Sequence, residues 1–184
     1  MFKKKIYKME NKSNNKSYKT AIKRKRLSLP AKFLSSQNLL KGRTIDFGCG
    51  KGYDSDALGL EKYDPYYSPI MPAGKFDTVM SNYVANVLTN EEITTYLNDI
   101  RTILKPEGKA YLTVRRDIKT EGYTKKGTYQ TNRKLDLPVL KRRKGAFCIY
   151  VLEKWWAFLY NFLDLDYPKQ DKDGCIYKSL RNFK

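Results

Sequence analysis

The sequence predicts an α/β fold in which a mostly parallel sheet carries helices on both of its faces. Three observations support this prediction. Short apolar segments of strand length alternate with segments of helical periodicity along the middle of the chain. A turn with three alternating glycines follows the first of these strands. A carboxylate lies at the end of each of the first two strands, as expected where a parallel sheet binds a ligand at one edge.

The first half of the predicted fold contains two helices and two strands. Ser28 and Pro30 are typical of a helix start, and a helix of about two turns is expected there. Thr44–Phe47 is predicted as the first strand, Tyr53–Leu58 as a short helix, and residues 60–63 as the second strand. A loop is predicted next, because four turn-forming residues follow, namely Pro65, Pro69, Pro72 and Gly74.

The next segments repeat the strand and helix pattern. Residues 76–81 are predicted as a third strand. Thr89 is expected to cap a helix that has Glu91 and Glu92 in its first turn. Apolar residues then recur at helical spacing until Lys105-Pro-Glu-Gly108, a segment predicted to end the helix in a turn.

The last part of the chain has a weaker pattern. Residues 110–114 and 147–152 are predicted as strands, whereas residues 117–134 read as a basic loop. The aromatic segment 155–163 fits either a helix or a strand, and its Trp155 and Trp156 fit a packing role better than a binding role.

Composition predicts a flexible basic tail at 1–19 and a single domain at 20–184. No apolar block follows Met-Phe-Lys-Lys-Lys, no run reaches membrane-spanning length, and the three cysteines are scattered. A cytoplasmic protein without membrane contact is therefore expected. The absence of histidine and of CxxC pairs argues against a metal site and removes the commonest general base.

The segment around the glycines is the strongest functional signal. Asp46-Phe-Gly48-Cys49-Gly50-Lys-Gly52 follows the first strand, and Asp64-Pro65-Tyr66 follows the second. Glycines allow backbone to approach a ligand closely, and an acid after the second strand of a β-α-β unit can accept hydrogen bonds from two ribose hydroxyls. The pattern therefore predicts a nucleoside pocket.

These motifs resemble those of class I S-adenosylmethionine-dependent methyltransferases, which have a Rossmann-like fold. The resemblance implies S-adenosylmethionine as the cofactor and S-adenosylhomocysteine as its product. The loop with Gly48, Cys49, Gly50 and Gly52 would hold the methionine and ribose portion. Asp46 would hold the methionine ammonium, and Asp64 the ribose. Residues 76–83 and Leu104-Lys-Pro-Glu-Gly108 resemble later motifs of the family.

A narrower resemblance covers residues 20–130. Thr20–Pro30, the segment Asn82-Tyr-Val-Ala-Asn-Val-Leu88 and Gly127-Thr-Tyr-Gln130 are similar to methyltransferases associated with DNA phosphorothioation. The chain departs from the general pattern at one place: only 12 residues separate Asp64 from Asp77, too few for a crossover with a helix. An abbreviated fold without the usual third strand is expected. Pro65, Tyr66 and Tyr67 would then cover the adenine by stacking, or else simply pack.

The residues after the third strand are candidates for contact with the methyl acceptor. Ser81-Asn82-Tyr83-Val84 partly matches the motif used to methylate exocyclic amines, with an amide and an aromatic ring but no prolines. Cytosine C5 methylation is disfavoured because none of the cysteines follows a proline. Asn82 and Tyr83 are therefore the predicted catalytic residues, although an Asn at this point can also serve a turn.

The positive charge is concentrated in two regions. The chain has a net charge of +18, and residues 1–26 and 115–144 each hold 11 Lys or Arg against one and three acids. Lys23-Arg24-Lys25-Arg26 and Lys141-Arg142-Arg143-Lys144 are the predicted nucleic-acid contacts, since such side chains bind phosphates. Biased composition or solubility would explain the same charge.

The sequence thus favours a methyltransferase that acts on DNA or RNA. Two alternatives stay open: a methyltransferase of a small molecule or protein, and a non-catalytic module that binds cofactor or nucleic acid. The sequence does not indicate the oligomeric state.

Overall fold

The computed structural model describes residues 16–154 and contains one large sheet and a small hairpin. The eight strands, in chain order, are β1 (Thr44–Phe47), β2 (Glu61–Tyr63), β3 (Phe76–Asn82), β4 (Leu104–Arg115), β5 (Gly122–Tyr123), β6 (Tyr129–Gln130), β7 (Val139–Arg143) and β8 (Phe147–Glu153). The large sheet has the order β2-β1-β3-β4-β8-β7, and β5 pairs with β6 separately. The first four strands of the large sheet are parallel, while β8 runs antiparallel to both β4 and β7.

Three α-helices pack on this sheet, α1 (Leu29–Ser36), α2 (Tyr53–Leu58) and α3 (Asn90–Ile103). Ser28 caps α1 by accepting a hydrogen bond from Ala31 N. Thr89 and Glu92 form a capping box at α3, because each side chain accepts a hydrogen bond from the backbone N–H of the other residue. Two short 3-10 helices lie at Ser17–Thr20 and Ala85–Val87.

The side chains of each strand alternate between two apolar layers. Ile45 and Val79 pack with Ile100 of α3 on one face. Met80 and Tyr111 pack with residues of α1 on the other face. The predicted mostly parallel α/β sheet with helices on both faces is therefore confirmed.

The strand order reverses at β1, which lies between β2 and β3. Residues 64–75 connect β2 to β3 and contain one isolated bridge, Asp64 to Ser68, but no helix and no further strand. The expected abbreviation is thus present, and β2 is an edge strand. In open α/β sheets a ligand binds outside the carboxyl ends of the strands at such a reversal, so the fold itself points to the end of β1.

Three features differ from the sequence prediction. β4 begins at Leu104, directly after α3, and the predicted turn at 105–108 is a bulge within the strand pairing. Residues 117–134, expected to be a loop, contain the β5–β6 hairpin. β7 was not predicted; it is an edge strand whose exposed Lys141 and Arg143 obscure its apolar alternation.

Several predictions fall at the ends of the chain. Residues 17–19, assigned to the tail, belong to the first 3-10 helix, and the part of the tail before residue 16 lies outside the described residues. Trp155 and Trp156 also lie outside them. Among residues 16–154 no helix is long and apolar enough to cross a membrane, and no group of three or more Cys, Asp and Glu is arranged to hold a metal ion.

Candidate functional site

A cleft of about 1120 Å³ opens at the carboxyl ends of β1, β2 and β3. The candidate residues that line it are Asp46, Gly48, Cys49, Gly50, Asp64, Pro65, Tyr66, Asn82 and Tyr83. Gly52 is not part of the lining; it precedes α2 and donates its N–H to Cys49 O at 3.0 Å. With the exception of Gly52, the structure therefore brings the predicted cofactor-binding and catalytic residues into one cavity at the expected edge of the sheet.

The loop between β1 and α2 depends on its glycines. Gly48, Gly50 and Gly52 have φ angles of +83°, +56° and +77°, in the left-handed region that favours glycine. A Cβ at Gly48 would lie 2.3 Å from Val84 Cγ2, and one at Gly50 would lie 3.2 Å from Ala21 Cβ. The loop therefore turns tightly and keeps its backbone close to neighbouring segments.

Asp46 is a buried carboxyl in the cleft wall. It is 3% exposed, and Ser55 of α2 donates its hydroxyl to Oδ2 at 2.8 Å. The pKa of Asp46 is raised from 3.8 to about 7, mainly by burial and also by the nearby Asp54 and Asp64, while the hydrogen bond from Ser55 and the charge of Arg24 act in the opposite direction. Asp46 therefore changes its charge near neutral pH, where a cationic ligand would favour its ionised form.

Asp64 is held by backbone donors. Its Oδ1 accepts from the N–H groups of Tyr66 and Tyr67, both at 2.9 Å, and its Oδ2 accepts from Gly50 N at 3.0 Å. A carboxylate has about four acceptor positions. Three are engaged, so Asp64 ties the glycine loop to the turn after β2 and retains one acceptor position at Oδ2.

An aromatic wall stands beside Asp64, and the sequence analysis found only part of it. Tyr66 is 60% exposed, and the ring of Tyr18 stacks on it with centroids 4.2 Å apart and planes 12° apart. Tyr67 contacts Tyr66 edge-on and donates its hydroxyl to Tyr18 O at 3.1 Å. Tyr18 was assigned to the tail because no local pattern links it to a turn 48 residues later.

Cys49 lies in the loop but is not poised for nucleophilic chemistry. Burial raises the pKa of its thiol to about 12, and the charges of Asp46 and Asp64 raise it as well. A thiolate is the reactive form of cysteine, and this environment disfavours it. The environment of Cys49 therefore agrees with the sequence argument against this residue as a nucleophile.

Asn82 and Tyr83 lie where β3 ends. Asn82 Oδ1 accepts from Thr113 Oγ1 at 2.8 Å, whereas its Nδ2 is buried and has no hydrogen-bond partner among residues 16–154. Tyr83 has a φ of +68°, a strained conformation for a bulky residue, and its N–H donates to Thr113 O at 2.8 Å. Such strain and such an unpaired buried group are concentrated at functional sites.

A supporting network that the sequence analysis did not identify holds these elements together. Tyr96 of α3 donates its hydroxyl to Ser81 Oγ at 2.8 Å, and Ser81 donates to the carbonyl of Phe47. Asn86 bonds with its side chain to the backbone of Arg115 and Thr131. The ends of β1, β3 and β4 are thus fixed relative to one another.

The cleft is acidic, although the whole chain is strongly basic. Within the described part of the chain, six acidic side chains line it, namely Asp46, Asp54, Asp64, Glu91, Glu92 and Asp117. Three cationic side chains line it as well, namely Arg24, Lys51 and Arg115. An excess of carboxylates in a concave site raises the local concentration of a cationic ligand.

The two basic segments both reach the rim of this cleft. Arg24 lines the cavity, while Lys23, Lys25 and Arg26 are exposed beside it. In the second segment, the turn Gly145–Phe147 that directly follows Lys144 lines the cavity. Lys141 instead lies over the ring of Phe33 at 5.4 Å, and Arg142 is half-buried. Charged side chains on β7 also protect a sheet edge from pairing with another chain, which is an alternative role for this segment.

Comparisons with known proteins find similarity in structure alone. No protein-family model matches the sequence, and no curated protein matches it. A Burkholderia thailandensis 1,6-didemethyltoxoflavin-N1-methyltransferase with bound S-adenosylhomocysteine aligns at 15% identity and a TM-score of 0.48, over 67% of this chain and 76% of that chain. The DhpI–SAH complex aligns at 12% identity and a TM-score of 0.46, over 66% and 85%.

A third structure, described for the conversion of a disulfide bond into a thioacetal group during echinomycin biosynthesis, aligns at 18% identity and a TM-score of 0.39. The match covers 48% of this chain and about half, 51%, of that chain. At these identities and TM-scores the similarity establishes no family for this chain. The functional assignment therefore depends on the geometry of the cleft.

Proposed function

We propose that this chain is an S-adenosylmethionine-dependent methyltransferase that acts on nucleic acid. The observation that carries the proposal is the loop of three left-handed glycines at the strand-order reversal, with Asp46 before it and Asp64 bonded to it. A cleft of this kind suits a nucleoside that carries a positive charge.

The residues present fit the cofactor. The ionised form of Asp46 would bind the methionine ammonium, and the acidic lining favours a ligand with a second, sulfonium charge. The remaining acceptor position of Asp64 Oδ2 would take one ribose hydroxyl. Tyr66, backed by Tyr18, would provide a flat wall for the adenine next to Pro65.

S-adenosylmethionine supplies a methyl group that is already activated, so the protein's main task is alignment. Asn82 and Tyr83 line the same cleft at the end of β3 and would position the acceptor. Burial raises the pKa of Tyr83, which keeps its phenol protonated at neutral pH and makes it a hydrogen-bond donor rather than a base. The Thr113 hydroxyl can donate or accept, so either orientation of the Asn82 amide keeps that contact and leaves one amide atom for the acceptor.

Charge distribution supports a polymeric acceptor. An acidic cavity with exposed cations near its rim suits a ligand whose phosphates stay at the rim while one base enters. The phosphates would be contacted by Lys23, Arg24, Lys25, Arg26 and Lys144. The association with DNA phosphorothioation suggested by the narrower resemblance remains a prediction.

Incubation with methyl-labelled S-adenosylmethionine and separate DNA and RNA samples tests this function. Label in either polymer is expected, and Asn82→Ala should reduce it at least tenfold while calorimetry finds the cofactor affinity unchanged. Asn132→Ala, at an exposed asparagine outside the cleft, is the matched control. Label found in protein or small molecules but in neither polymer would exclude a nucleic-acid acceptor, and failure to bind the cofactor would exclude the enzyme itself.

A further inference from the structure

A second cavity, of about 450 Å³, lies beside the cofactor cleft at the β5–β6 hairpin. Arg115 and Asp117 line both cavities, so the two are neighbours. Nε and Nη2 of Arg115 donate to the two carboxylate oxygens of Asp117 at 2.9 and 2.8 Å. This bidentate ion pair makes a shared wall, and a chain-like ligand with one unit in the cleft would have its next unit close to the hairpin.

The most exposed aromatic side chain of the hairpin faces this second cavity. Tyr123 is 60% exposed and belongs to the cavity lining. Tyr129 contacts it with centroids 5.4 Å apart and planes at 66°, and Tyr129 is itself hydrogen-bonded to Glu121. This edge-on contact with Tyr129 supports the Tyr123 ring and leaves part of its surface exposed. An exposed ring surface is what stacking on a base requires.

Three lysines belong to the same part of the chain as this ring. Lys119 lies in the cavity lining, and Lys125 and Lys126 are exposed in the turn between β5 and β6. Of the nearby carboxylates, Asp117 pairs with Arg115, and Glu121 accepts hydrogen bonds from the hydroxyls of Tyr129 and Thr131. An exposed aromatic ring with exposed lysines in the same hairpin is the arrangement that binds unpaired bases and the phosphates between them.

We propose that the β5–β6 hairpin binds single-stranded nucleic acid, with Tyr123 stacked on an unpaired base next to the nucleotide in the cleft. Lys125 and Lys126 then contact its phosphates. A base inside a duplex is already stacked on its neighbours, so this platform selects unpaired strands. The position of the neighbouring nucleotide rests on the proposed function, but the stacking itself does not.

Fluorescence anisotropy with labelled oligo(dT) and oligo(U), and with a duplex of the same length, tests the proposal on the full chain. Tyr123→Ala should weaken binding of at least one single strand by roughly 5- to 100-fold, the equivalent of one lost base stack. Tyr123→Phe, which keeps the ring, should bind like the wild type. Duplex binding should change less than twofold in both variants.

The phosphate contacts have a separate readout. For single strands each phosphate contact contributes about 0.7 to the slope of log affinity against log salt, so Lys125→Ala with Lys126→Ala should reduce that slope by about 1.4. Equal affinity of Tyr123→Ala and wild type for both single strands would overturn the proposal, as would a preference for duplex. Calorimetric titration of S-adenosylmethionine distinguishes the two claims. If the wild type does not bind the cofactor, the proposed methyltransferase function is wrong. If the wild type binds the cofactor but Tyr123→Ala leaves the affinity for single strands unchanged, only the proposed role of the hairpin is wrong.

Discussion

Replacing Asp46 with asparagine tests the cleft in two ways, because the negative charge of this buried carboxyl destabilises the folded protein and is expected to stabilise the bound cofactor. Asp46 is 3% exposed, and its pKa is raised from 3.8 to about 7. Between these values the unfolded chain has lost the proton that the folded protein still holds. The free energy of unfolding of the wild type therefore falls as the pH rises through this window, and is flat above it with respect to this group.

The size of the effect follows from the pKa shift. Each pKa unit corresponds to about 1.36 kcal/mol, so the interval between pH 5 and pH 7 accounts for about 3 kcal/mol. Asparagine has nearly the same shape and can still accept the hydrogen bond from Ser55, but it does not ionise. Relative to wild type, Asp46→Asn should therefore gain about 3 kcal/mol of stability between pH 5 and pH 8.

Urea unfolding of both proteins at pH 5 and pH 8, without cofactor, measures how the stability difference between Asp46→Asn and wild type changes with pH. Glu107→Gln, which removes an exposed carboxylate from β4, is the matched control and should show little pH-dependent gain. A stability difference between Asp46→Asn and wild type that is the same at both pH values would refute the reasoning. So would a variant that is less stable than wild type at pH 8.

Three further predictions concern the cofactor and are checked by isothermal titration calorimetry. Wild-type affinity for S-adenosylmethionine should increase from pH 6 to pH 8 as Asp46 ionises, and Asp46→Asn should bind weakly at every pH. An affinity of Asp46→Asn that increases with pH as in the wild type would contradict the role of Asp46 in binding the cofactor. Gly48→Ala should abolish binding because its Cβ would lie 2.3 Å from Val84 Cγ2. The control Gly59→Ala, also at positive φ but in open space, should retain binding. Equal affinities of the two variants would contradict the role of the glycine loop in cofactor binding. Tyr18→Ala should weaken binding by about 1 kcal/mol, the value of an aromatic pair, and Tyr18→Phe should not; no change in Tyr18→Ala would remove Tyr18 from the site.

The sequence predicted those parts of the fold whose signals are local. Thr44–Phe47 and Tyr53–Leu58 have the predicted bounds, because the apolar run and the flanking glycines determine them without help from distant residues. The Thr89 cap was recognisable for the same reason. The missing third strand could be inferred from chain length alone, since the segment between Asp64 and Asp77 is too short for a crossover helix.

Features that depend on distant contacts were not predictable. Tyr18 joins the site only because the chain returns to Tyr66, and β7 forms only because β8 offers an edge to pair with. The acceptors of Asp64 are mostly engaged by backbone N–H groups, which no residue pattern reveals. Local motifs thus predicted most of the loop and strand-end residues of the cleft, but not Tyr18 or the hydrogen bonds that hold Asp64.

The most direct test of the central claim is a crystal structure of the protein with S-adenosylhomocysteine. We expect the nucleoside between the Gly48–Gly50 loop and the Tyr66 ring, with one ribose hydroxyl within hydrogen-bond distance of Asp64 Oδ2 and the amino acid end toward Asp46. A nucleoside bound elsewhere, or a cleft that stays empty at saturating concentrations of the compound, would contradict the account.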